Sequence, residues 1–152
     1  MNSPFSKIYI SKSERREYFL SCRKIHFMNI YLLLDYFLLV FHALVTLFNM
    51  FGWAWKYTRR LNLLTLLLTG GSWFILGAFK GWGYCPLTEW HWKVLAQLGK
   101  TDLPASYIRY TIQRWFAVDV DPVLVEQVTV WSFFLALGLS VWLNARDYRR
   151  SR

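Results

Sequence analysis

Three apolar runs of membrane-spanning length leave this chain few folds to choose from. Ile30–Trp55 reads IYLLLDYFLLVFHALVTLFNMFGWAW, Leu61–Phe79 reads LNLLTLLLTGGSWFILGAF, and Val123–Leu143 reads VLVEQVTVWSFFLALGLSVWL. A helix needs about 20 mostly apolar residues to cross the hydrocarbon of a bilayer. Helices of a soluble bundle keep a polar face, and these runs do not. Composition points the same way. The 152 residues are 55% hydrophobic, 20% aromatic and only 18% charged, where soluble domains carry about a quarter charged residues. The expected fold is an all-α integral membrane protein with spans at about 30–53, 61–79 and 123–143, forming one helical domain over 28–150.

The net charge of +9 would raise nucleic acid as a partner in a soluble protein. Here the positive residues flank the apolar runs, which suits membrane orientation and argues against nucleic acid. KYTRR joins the first two runs and RDYRRSR follows the third, whereas Lys80–Pro122 mixes Lys and Arg with Glu89, Asp102, Asp119 and Asp121. The positive-inside rule then places KYTRR and the C-terminus in the cytoplasm and segment 80–122 outside. The N-terminus opposes this pattern, because residues 1–27 carry Lys7, Lys12, Arg15, Arg16, Arg23 and Lys24. Their longest apolar stretch is too short for a signal peptide. Either a further span exists or the natural product starts later. Tyr107–Val118 is the one further candidate, and it is short and contains Arg109 and Arg114. The charge bias favours a start at Met28.

The outer segment contains two amphipathic helical patterns, at about 86–98 and 105–117. Pro86 suits a first helical turn and Gly99 a stop. Leu87, Trp90, His91, Val94, Leu95 and Leu98 share one face of the first. Ile108, Thr111, Ile112, Trp115 and Phe116 share one face of the second, opposite Arg109 and Gln113. Both helices are expected at the headgroup level, with their Trp and Tyr residues in an aromatic belt and His91 one of its members.

Polar residues inside the spans are the candidate site. Asp35, His42 and Asn49 recur every seven residues and so share a stripe, but neighbours lie ~10 Å apart along the axis and need partners on other helices. Ionisable groups at membrane depth usually face the bundle interior and carry function. For Asn49 and Thr46 the simpler reading is interhelical hydrogen bonding, and for Gly70, Gly71 and Ser72 it is close helix packing. The third span has Glu126, Thr129, Ser132, Ala136, Ser140 and Asn144 on one stripe. The outer mouth of the bundle is thus expected to collect Asp35, Glu126, Cys85, Thr88, Glu89 and His91. Cys85 and His91 lack zinc-site spacing, so no metal site is expected. Two separate cysteines, Cys22 and Cys85, give no disulfide framework. No nucleotide loop or catalytic triad signature is present.

IYLLLDYFLLVFH, the basic turn, GWGYCPLT and SYIRY together resemble a bacterial family of small inner-membrane proteins of unknown function, marked by a Cys-Pro-Leu-Thr motif after the second span. The resemblance covers Met28 to about Arg150 and falls on Asp35, His42, Cys85, Pro86, Leu87, Thr88 and Tyr110. Members of that family typically begin just before the first span. Where they often carry a second histidine this chain has Asn62, and EWHW follows its motif in place of a Leu-Glu-Asn-like run. The resemblance implies a location in the bacterial inner membrane and no assigned activity.

Two functions stand against each other at this level. One is a non-enzymatic membrane component or accessory subunit, with the bilayer, other membrane proteins or further copies of itself as partners. The other is a cofactor-binding or redox membrane protein using Asp35, His42 and Cys85, its cofactor unspecified. A transporter is a poorer reading, since three spans hold no inverted repeat.

Overall fold

A computed structural model describes residues 12–150, with the side chains of Arg16 and of residues 27–150. Six α-helices account for the fold: α1 Lys12–Phe51, α2 Arg59–Gly71, α3 Gly77–Lys80, α4 Pro86–Gln97, α5 Tyr107–Phe116 and α6 Pro122–Arg150. A π-helical turn, Ser72–Leu76, joins α2 to α3, and there is no strand among the described residues. Three stretches are long and apolar enough to cross a membrane: Phe27–Phe51, Arg59–Lys80 and Pro122–Arg150. The expected all-α membrane architecture is therefore the observed one; the first span begins and ends earlier than its apolar run, and the other two extend past theirs at both ends. The basic segment 1–27 lies in part outside the described residues. From Lys12 onward its backbone continues into α1.

Local chemistry sets the breaks. α1 ends at Gly52, where the backbone passes so close to its neighbours that a Cβ would lie 2.6 Å from the Phe48 carbonyl oxygen and 2.9 Å from Asn62 Nδ2. Thr58 Oγ1 donates back to the Gly52 carbonyl at 2.6 Å and closes the turn. The second span runs through α2, the π turn and α3. Its change of pitch follows Gly70 and Gly71, weak helix formers, and Ser72 Oγ leaves the helix to donate to the Tyr84 carbonyl at 2.7 Å. Gly81 and Gly83 then adopt positive φ (110° and 76°), conformations glycine takes without steric cost. Pro86, Ser106 and Asp121 start α4, α5 and α6. Ser106 Oγ and Asp121 Oδ1 accept from the Arg109 and Leu124 amides, satisfying donors that a helix start leaves open.

The spans pack chiefly as an α2–α6 pair around buried Leu66, Phe133 and Ala136, with Trp53, Trp73 and Leu137 alongside. Gly70 lets the Phe133 ring approach, 3.3 Å from where a Cβ would stand, so this glycine serves packing, as expected. Polar side chains cross-link the other half of the bundle. Asn49 Nδ2 donates to Thr69 Oγ1 at 3.0 Å, and Asn62 Nδ2 to the Phe48 carbonyl at 2.7 Å. Asn49 is thus an interhelical bond, whereas Thr46 only returns to the His42 carbonyl on its own helix. A second core forms where α4 docks on α1. It consists of Leu39, Leu95, Tyr107 and Tyr110, flanked by Trp92, Leu98 and Leu103. Each of the two short helices therefore buries one face in this core, while Trp90, Trp115 and Phe116 remain exposed.

Candidate functional site

Beside that second core, five side chains from three helices form one hydrogen-bonded chain. Asp35 of α1 is 1% exposed and His91 of α4 is fully buried. His91 Nε2 lies 2.7 Å from Asp35 Oδ1, and His91 Nδ1 lies 2.7 Å from the Tyr107 hydroxyl of α5. Arg114, also on α5, grips the same carboxylate with two nitrogens, Nη1 to Oδ1 at 2.6 Å and Nη2 to Oδ2 at 2.8 Å. Its Nη1 donates as well to the Tyr110 hydroxyl at 2.5 Å. A carboxylate only accepts, so the neutral imidazole that satisfies every member carries its proton on Nε2, donates to Asp35 and accepts from Tyr107.

Electrostatics follow from this enclosure. Burial pushes the His91 imidazole below its usual range, and the neighbouring carboxylate offsets only part of the shift. Burial likewise pushes the Tyr107 and Tyr110 phenols up, so both remain donors. The bond to Asp35 pushes the Arg114 guanidinium further up, and it stays a cation. Aromatic rings line the site. The His42 ring stacks on Tyr107 with centroids 3.9 Å apart and planes at 16°. Tyr110 meets His91 and Trp92 edge-on, and the Arg114 guanidinium lies 5.3 Å from the Tyr36 ring centre. Bidentate Arg–carboxylate pairing of this kind is stronger and more directional than a neutral hydrogen bond.

The residues expected from the sequence divide into those this network contains and those it leaves aside. Asp35 is its centre and Tyr110 a member. His42 borders it through the ring stack, and its Nδ1 is buried without a hydrogen-bond partner. Cys85 is a free, half-buried thiol at the start of α4, where its side chain makes no capping bond, and Pro86 occupies the first turn. Thr88 is half-buried on the same helix. Glu89 belongs to a separate surface group. The Lys93 ammonium, 2.6 Å away, and the Tyr84 hydroxyl hold its carboxyl at about 2, with Lys80 nearby. Glu126 is exposed on α6, in a shallow groove with Val123, Gln127, Val130 and Trp131. Of the residues expected to converge, the structure brings Asp35 and His91 into contact and leaves Glu126 apart. Among the described residues no three His, Cys, Asp or Glu side chains gather as a metal-binding group.

One further expectation needs correction. His91 is not a member of an interfacial aromatic belt; it is sealed in the core because Asp35 requires a donor there. The face of α5 that carries Tyr107 and Tyr110 is the buried one, while Trp115 and Phe116 of the apolar stripe are 50% and 68% exposed. Two phenols bonded into the network of the buried ion pair hold that face against α1 and α4. Arg114 and Tyr107 were missed, although a signal exists. Tyr107, Tyr110 and Arg114 stand at i, i+3 and i+7, one helical stripe, and a buried Asp35 demands a cation from another segment.

No curated protein and no solved structure matches the chain. A family model described as Protein of Unknown function (DUF2784) does match, over residues 32–145, a stretch that contains Asp35, His91 and Arg114 and most of all three spans. With that match covering most of its length, the chain belongs to the DUF2784 family, a family of unknown function.

Proposed function

We propose that this protein is a non-enzymatic component of a bacterial inner membrane. It would act as an accessory subunit, presenting the α4–α5 cap at the outer face to another membrane protein or to a further copy of itself. One observation carries the reading: the most polar cluster in the fold is closed. Both Asp35 oxygens and both His91 nitrogens bond to protein groups, and the two residues are 1% and 0% exposed. A catalytic acid, base or ligand must keep an atom within reach of its substrate, and here those atoms are occupied. The same bonds tie the cap to α1, which is what a presenting surface needs. The inward placement of KYTRR and the C-terminus rests on the positive-inside rule.

The test is affinity purification of the tagged full chain after mild crosslinking in its native membrane. The proposal expects a stoichiometric membrane partner or a defined oligomer. It also expects Asp35→Asn to lower complex and protein level in proportion. Loss of a bound chromophore or of a measurable conversion in Asp35→Asn, at unchanged protein level, would refute it.

A second reading, a cofactor or redox site built on Asp35, His42 and Cys85, has one specific support in the unpartnered Nδ1 of His42. Asp35 is already engaged by His91 and Arg114. A visible absorption spectrum and metal analysis of the purified protein separate the two readings.

A further inference from the structure

At the end of the bundle away from α4 and α5, the fold joins two basic segments that are far apart in sequence. The turn into α2 carries Lys56, Arg59 and Arg60, and the last turns of α6 carry Arg146, Arg149 and Arg150, against a single acid, Asp147. Arg59 Nη1 donates to Asp147 Oδ2 at 2.7 Å, and Asn144 Nδ2 to the Arg59 carbonyl at 3.1 Å. Asp147 also lies within electrostatic reach of Lys56 and Arg146. One carboxylate therefore faces three cations and neutralises only one of them.

The cation it neutralises is Arg59, whose Nε is engaged by the Trp53 carbonyl at 3.0 Å. Arg146 is left differently placed. Its guanidinium lies 5.2 Å from the Trp142 ring centre, and its Nε stands 3.8 Å from Asp147 Oδ1, buried and without a hydrogen bond. Arg149 follows three residues later, on the same side of α6, and it and Lys56 are exposed. Trp55, Tyr57 and Trp142 are 63%, 99% and 59% exposed around these cations. Exposed Trp and Tyr at the end of a span mark the headgroup level of the bilayer. The surplus positive charge thus lies where lipid phosphates lie.

We propose that this corner binds the phosphate of an anionic phospholipid, with Lys56, Arg146 and Arg149 as the contacting cations and Trp142 backing the Arg146 plane. Arg59 and Asp147 are positioning residues that hold the two segments together. The occupant is a lipid because the site opens beside the lipid-facing surface of α6 at headgroup depth. Basic side chains at such a surface strengthen binding to anionic lipid by about fivefold each.

The test is native mass spectrometry of the purified full chain released from micelles with equimolar phosphatidylglycerol and phosphatidylcholine. Phosphatidylglycerol should be retained in excess. Lys56→Gln/Arg146→Gln/Arg149→Gln should remove the excess, and Arg149→Gln alone, at an exposed position near the end of α6, should lower it about fivefold. Lys100→Gln/Arg109→Gln at the opposite end should leave it unchanged. Equal retention of the two lipids overturns the proposal, as does an excess that survives the triple substitution. Competition by inorganic phosphate beyond that of chloride at equal ionic strength would assign the site to a soluble anion and overturn it as well.

Discussion

Asp35→Asn is the most informative single change. The substitution keeps the shape of the side chain and removes its charge. Arg114 is then left as a cation whose side chain is only 19% exposed, facing an amide that can offer it one acceptor oxygen in place of two. Removing one partner of a buried ion pair costs about 3–5 kcal/mol, because the other charge remains desolvated. The partial exposure of Arg114 places the expected loss near the lower end, about 3 kcal/mol. Arg114→Gln leaves the opposite residue stranded. Asp35, at 1% exposure, would keep only the His91 donor, and the expected loss is about 3–5 kcal/mol unless the carboxyl takes up a proton. The double variant removes both charges together, so it should be more stable than the sum of the two losses implies, by about 1–3 kcal/mol. Chemical unfolding in detergent micelles, followed by tryptophan fluorescence, measures all three variants. Trp92 is a sensitive reporter because its ring packs 5.2 Å from Tyr107 and 4.9 Å from Tyr110. Two results would refute the argument. One is an Asp35→Asn protein within about 1 kcal/mol of wild type. The other is strict additivity in the double variant, which would mean that the two charges do not depend on each other.

Further expectations follow from other parts of the fold. His91 is held neutral below its ordinary value of 6.5, so its contribution is complete above that pH and is lost as pH falls through it, when the undocked state takes up a proton that the folded state refuses. Thermal melts at pH 7.5 and 5.5 should show this acid-side loss, and His91→Gln should flatten it. Gly52→Ala should prevent normal accumulation or lower the melting temperature sharply, because its Cβ would stand 2.6 Å from the Phe48 carbonyl oxygen, whereas Gly138→Ala, with open space around it, should melt like wild type. Asp119→Asn should leave the melting temperature unchanged, since the carboxylate bonded by Arg109 is 74% exposed and exposed pairs contribute little. Cysteine introduced at Trp82 should react with a membrane-impermeant thiol reagent in intact cells, and cysteine at Tyr57 only after the membrane is opened. The reverse pattern would invert the proposed orientation.

What the sequence determined by itself was the class of fold and the position of its parts. Apolar runs of bilayer length force helices, because backbone groups in hydrocarbon must bond within their own segment. Pro86 and Gly99 likewise mark the ends of α4 by local backbone chemistry alone. The importance of Asp35 was legible for a similar reason: a lone carboxylate at that depth needs a partner wherever the chain places one. Which partner it takes was a tertiary matter. His91 and Arg114 lie 56 and 79 residues away, and no local periodicity records that separation. Which face of α5 docks was a tertiary matter too. Tyr107, Tyr110 and Arg114 turn toward α1 because the buried carboxylate of Asp35 stands there, and the sequence of α5 alone does not contain that charge. Glu126 shows the converse: its residue count placed it at the level of Asp35, but the rotation of α6, set by Leu66, Phe133 and Ala136 packing two helices together, turned it outward. Helix existence and depth are local properties written in composition, while facing and pairing belong to the assembled bundle.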